Sequence, residues 1–113
     1  MYKIRLLNQI SVKGLDRFPR DRYELGTEIS DPDAILVRSH KLSVADVTPA
    51  LLAVGRAGAG VNNIPVADYT EKGIVVFNTP GANANAVKEL VLAGMLLSCR
   101  GILPGISYVE GLA

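Results

Sequence analysis

The stretch VGRAGAGVNNIPVADYTEKGIVVFNTPGANANAVKE, residues 54–89, decides how the chain folds. Two apolar runs, 51–54 and 74–77, bracket a segment with Pro65 at a helix start and Gly73 as a stop. A connection of that length suits a crossover between parallel strands. Each run empties into a loop of Gly, Asn or Thr, and a polar helix start closes the stretch. Loops of this kind present backbone N–H groups that can bind an anion.

Working outward, the continuous apolar run AILV at 34–37 has the pattern of a strand buried on both faces. Residues 3–7 read as a first strand ending at a turn-like Asn8. Ser11 can cap a short helix over 12–17, stopped by Phe18-Pro19. Residues 23–27 read as a weak strand at an edge, and Ser30-Asp31-Pro32-Asp33 as a turn. A short helical candidate lies within 43–49. The charges Arg17, Arg20, Asp21, Arg22 and Glu24 mix both signs, which reads as a solvated face. Strand and helix alternate, so the expected fold is α/β, a flavodoxin-like open parallel sheet with helices on both faces. Such sheets bind ligands beyond the carboxyl ends of their strands.

Three apolar runs end alike at that edge, in Arg38-Ser39, Gly55-Arg56 and Asn78-Thr79-Pro80. An arginine there can grip a carboxylate or phosphate with two hydrogen bonds; alone, it can equally be half of a surface ion pair. Glycines at 55, 58 and 60 do not match G-x-G-x-x-G, because the position three after Gly60 is Asn63, and no Walker A lysine follows. Gly58, Ala59 and Gly60 can together cradle a carboxylate through their N–H groups, or form a plain strand-to-helix turn. Asn62-Asn63, before Ile64-Pro65, are expected to cap the next helix.

Composition narrows the classes. Twelve Lys and Arg against 11 Asp and Glu in 113 residues give no global field toward nucleic acid or an anionic membrane. One cysteine, Cys99, excludes an internal disulfide framework and, with the one histidine, His40, leaves no zinc-ligand cluster. The N-terminal MYKIRLLNQI is too short an apolar run for a signal peptide, and 90–99 is too short to span a bilayer. The expectation is a soluble cytoplasmic protein.

A helix is expected from Asn83 or Asn85 to about Arg100, with Gly101 and Pro104 ending it. Asn83 can cap that helix, aim its amide into the ligand edge, or do both. Lys88 and Glu89 read as exposed or paired residues of the first turns, not as acid or base. The run 90–97, opened by Leu90 and closed by Leu97, is apolar almost all round and needs cover on more than one side. A sheet supplies one cover and a second domain or subunit the other. The weak amphipathic tail 103–113 adds no new core, so a longer protein is expected.

Taken together, LVRS at 36–39, VGRAGAGVNNIPV at 54–66 and GIVVFNTPGANANAVKELV at 73–91 resemble the D-isomer-specific 2-hydroxyacid dehydrogenases. The resemblance is greatest to the branch that oxidises 3-phosphoglycerate to 3-phosphohydroxypyruvate in serine synthesis. It implies that residues 1–100 are the N-terminal part of a substrate-binding domain. Residues 101–113 would then be a truncated connection toward an NAD-binding Rossmann domain. It also implies substrate contacts from Arg38, Ser39, Arg56, Ala57, Gly58, Ala59, Gly60 and Asn83, with Ala59 near the nicotinamide. NAD would be held mainly by the other domain, which would also carry the catalytic residues. A homo-oligomer is implied, with the helix Leu90 to Leu97 near an interface. Two positions depart from the family: Lys41, with His40 before it, stands where a threonine is frequent, and 26–33 is too short for the usual helix. Another 2-hydroxyacid reductase, acting on glyoxylate or hydroxypyruvate, and a free-standing small-acid binding module are the alternative readings.

Overall fold

Five short strands lie side by side in parallel because each is followed by a connection that returns the chain to the same end of the sheet. The computed structural model describes residues 1–113 and divides them into two compact units, Met1–Pro80 and Gly81–Ala113. The first holds β1 (Tyr2–Leu7), α1 (Val12–Leu15), β2 (Tyr23–Gly26), β3 (Ala34–Val37), a 3-10 turn (Val44–Asp46), β4 (Ala53–Arg56), α2 (Val66–Glu71) and β5 (Val75–Phe77). The sheet order is β2-β1-β3-β4-β5, and every pairing is parallel. This is the flavodoxin-like order.

The order dictates the layers. From β1 the chain steps toward one edge to reach β2, whereas β3 to β4 to β5 steps toward the other. Right-handed crossovers therefore put α1 on one face and α2 on the opposite one. Side chains alternate, so Ile35, Val37 and Val54 share the α2 face. There they pack with Leu42, Leu51, Ile64, Tyr69 and Ile74 into the core. Ile35, Val37, Val54 and Tyr69 are all but sealed from solvent. The other face is more open, with Val75 and Phe77 exposed.

Several expectations shift in detail. The strand expected at 51–54 lies at Ala53–Arg56, two residues later. Leu51 is buried, but as a loop residue of the core, and pairing starts when the Leu52 N–H reaches the Asp33 carbonyl at 2.8 Å. Gly55 and Arg56 are poor strand formers by themselves; they are recruited by their partners Leu36 and Val37. No helix forms over 27–33. That turn is fixed by Asp33, whose carboxylate accepts from the Lys3 N–H at 2.7 Å and whose own N–H donates to the Lys3 carbonyl at 2.9 Å.

The second unit is α3 (Ala84–Arg100) and α4 (Ile102–Glu110). Gly101, in the left-handed region at φ 60°, ends α3. Pro104 does not end the pattern: it sits in the first turn of α4, where an N–H is not needed. Leu90, Val91, Leu92, Met95 and Leu96 of α3 are exposed. No single helix is long and apolar enough to cross a membrane, and α3 and α4 qualify together only across a 63° bend.

Candidate functional site at the carboxyl edge of the sheet

Where the strand order reverses, between β1 and β3, the connections leave the sheet in opposite directions and open a crevice beyond the carboxyl ends. Residues Gln9, Ile10, Ser11 and Val12, from the segment after β1, line a cleft there together with Arg38. Arg38 and Ser39 directly follow β3 and are exposed. Charge, a hydroxyl and an amide thus surround one open space. The wall 9–12 was not legible in the sequence; only the strand order reveals it.

Next to this cleft, β4 ends at Arg56, paired in register with Val37. The Ala57 N–H donates to the Val37 carbonyl at 2.8 Å, so the glycine loop leaves the sheet tied to β3. Gly58 then turns sharply, its N–H donating to the Arg56 carbonyl at 3.0 Å. The N–H groups of Ala59 and Gly60 have no acceptor within the chain. Two adjacent free donors on an exposed loop are a minimal anion cradle.

Arg56 is half-buried, and its Nε is buried without a hydrogen-bond partner. Its guanidinium lies over Gly58, where any side chain would collide with it. The loop after β5 holds the glycine loop from the far side. Asn78 Nδ2 donates to the Ala59 carbonyl at 2.9 Å, and the Thr79 N–H donates to the Gly58 carbonyl at 2.9 Å. Two of the loop's carbonyls are thereby consumed, while two of its N–H groups stay available.

The structure therefore brings Arg38, Ser39, Arg56, Ala57, Gly58, Ala59 and Gly60 to the ends of two neighbouring strands. By the pleat, Arg38 belongs to the α1 side and Arg56 to the α2 side of that edge. Asn83 belongs to the second unit, immediately before α3, and makes no side-chain cap bond. Lys88 Nζ donates to Asn85 Oδ1 at 2.6 Å and Asn85 Nδ2 to Glu89 Oε1 at 3.3 Å, so both charges are occupied on the helix surface. Asn63 is not the cap of α2: Pro65 occupies that position, and the Asn63 side chain reaches across to the Arg38 turn. His40 is exposed.

Comparison with known proteins gives the family and the fold. A model of the D-isomer specific 2-hydroxyacid dehydrogenase catalytic domain matches residues 2–106. D-3-phosphoglycerate dehydrogenase of Methanocaldococcus jannaschii is 44% identical over 82 residues, which is 70% of this chain and 16% of that protein. Hydroxypyruvate reductase of Thermotoga maritima is 43% identical over 95 residues, 80% of this chain and 31% of that protein. The crystal structure of NAD+-bound 3-phosphoglycerate dehydrogenase from Entamoeba histolytica superposes with a TM-score of 0.67 at 27% identity, covering 85% of this chain and 38% of that one. The chain thus spans well under half the length of each of these relatives.

Proposed function

This chain belongs to the D-isomer specific 2-hydroxyacid dehydrogenase family, and we propose that it is the substrate-binding part of an NAD-dependent dehydrogenase. The proposed reaction oxidises 3-phosphoglycerate to 3-phosphohydroxypyruvate, the first step of serine biosynthesis. One observation carries this reading: two separate anion-binding features share one sheet edge. They are the free N–H groups of Ala59 and Gly60 and the cleft lined by Arg38. A ligand with a carboxylate at one end and a phosphate at the other matches two such features. The name shared by several similar proteins supports it.

In this reading the chain binds and orients. Ala59 and Gly60 hold the carboxylate, Arg38 with Ser39 the distal anion, and Arg56 supplies positive charge beside the reacting carbon. NAD, when bound, accepts the hydride. This chain forms no pyrophosphate cradle for it, because Asn63 stands where the third glycine would be needed and its side chain is committed elsewhere. Ala59 is the residue proposed to lie near the nicotinamide. The general acid and base belong to the longer enzyme, as does the role of Asn83 at the substrate.

The intact enzyme is further proposed to be cytoplasmic and a homo-oligomer, with the exposed apolar run of α3 from Leu90 to Leu97 near a contact. Light scattering checks this; a monomer at high concentration would contradict it. A second reading, hydroxypyruvate reduction, is favoured by the Thermotoga maritima relative. Assaying the full-length enzyme against phosphorylated and unphosphorylated 2-hydroxy and 2-keto acids separates the two. Preference for unphosphorylated substrates would overturn the phosphoglycerate assignment.

A further inference from the structure

The turn that carries Arg38 has almost no secondary structure of its own, yet its backbone is held at four groups by two side chains distant in sequence. Asn8, just past β1, sits in the left-handed region at φ 70°, and its Oδ1 accepts from both the Ser39 N–H at 2.9 Å and the His40 N–H at 2.7 Å. Asn63, from the segment between β4 and α2, donates through Nδ2 to the Arg38 carbonyl at 3.3 Å and the His40 carbonyl at 2.8 Å. Its own backbone carbonyl accepts from the Leu42 N–H at 2.9 Å. The Asn8 side chain therefore takes two N–H groups of the turn, and the Asn63 side chain takes two of its carbonyls.

We propose that Asn8 and Asn63 are positioning residues that clamp the 38–42 turn between the segments after β1 and β4, holding Arg38 ready for an anionic substrate. The inference rests on the functional reading given above. The chemistry is specific. A primary amide is the one neutral side-chain group with both a carbonyl acceptor and a two-hydrogen donor, so each asparagine can close two backbone bonds from one end. Unclamped, the turn would exchange those bonds for water, and Arg38 would have to be ordered anew at each binding event. Asn63 Oδ1 is buried and without a partner, so a carboxylate at this position would be buried facing the carbonyls it must hold. Both side chains act through the backbone of residues 38–40.

The test combines amide hydrogen exchange with 3-phosphoglycerate affinity in the full-length enzyme. Asn8→Gly keeps the left-handed backbone at no strain and removes only the acceptor; Asn8→Asp keeps the acceptor. Asn8→Gly is expected to speed exchange at Ser39 and His40 by about tenfold and to weaken 3-phosphoglycerate binding by about tenfold, with kcat changed less than KM. Asn8→Asp is expected to keep the protection. Asn63→Ala, checked for folding by its amide spectrum, is expected to weaken binding similarly from the other side. Unchanged exchange in Asn8→Gly would overturn the clamp, and faster exchange with unchanged affinity would overturn its positioning role. If the wild-type enzyme binds no 3-phosphoglycerate, the functional reading falls and the substrate-positioning role falls with it, while the exchange result still decides the clamp.

Discussion

The guanidinium of Arg56 lies over Gly58, so that a Cβ at position 58 would stand 2.6 Å from Arg56 Cζ. The glycine leaves room for the arginine to fold back onto the loop it precedes. Gly58→Ala is expected to push the guanidinium away while leaving the fold nearly intact. The displaced group is the free end of a flexible side chain, so the stability change should stay within about 1 kcal/mol. Substrate affinity should fall about tenfold. Thermal melting and saturation kinetics on the same variant check both halves.

Arg56→Lys tests whether the planar fork of the guanidinium matters or only its charge. Lysine keeps the charge but loses two-point recognition. We expect kcat/KM to fall about tenfold for Arg56→Lys and about a hundredfold or more for Arg56→Ala. Equal losses in the two variants would show that geometry, not charge, is the whole contribution.

Tyr69 gives a prediction in pH. Its hydroxyl donates to the Ser43 carbonyl at 2.7 Å, and burial first, then the Asp46 carboxylate, raise its pKa above the ordinary tyrosine value. The folded state thus holds the proton more tightly than the unfolded one. The resulting stability is complete below the unfolded pKa of about 10 and is lost as pH rises through the folded value. Tyr69→Phe should cost about 1 kcal/mol at neutral pH through the lost hydrogen bond, and should decline less on the alkaline side. Urea denaturation of both proteins at stepped pH is the measurement.

Gly55 packs closely against the neighbouring strand. A Cβ there would stand 2.9 Å from Leu36 Cδ2 on the neighbouring strand. Leu36 Cδ2 is the end of a half-buried side chain that can turn aside, so Gly55→Ala should destabilise the sheet by about 1 kcal/mol or less, seen as a slightly lower denaturation midpoint at unchanged slope.

What could be read in the sequence were the features with a local signature. The run 34–37 became β3 at those bounds because its four apolar residues need no help to be recognised as a buried strand. The parallel order followed from the lengths of the connections, and the arginines and glycines of the edge from the ends of the apolar runs. What stayed hidden depends on contacts across the sheet. Arg56 is a strand residue only because Val37 lies beside it. Asn63 looks like a local cap, yet its amide works on a turn 23 and 25 residues away. Asn8 looks like a plain turn residue, and its positive φ serves an acceptor that faces Ser39 and His40.

The most direct measurement is an amide chemical-shift titration of the isotopically labelled enzyme with 3-phosphoglycerate. The predicted result is a set of shifts at Arg38, Ser39, Ala59 and Gly60, at the carboxyl edge. No comparable change is predicted in the groove at the opposite end of the sheet, lined by Tyr2, Tyr23 and Ala53. Shifts centred on that groove, with Ala59 and Gly60 unmoved, would contradict the account.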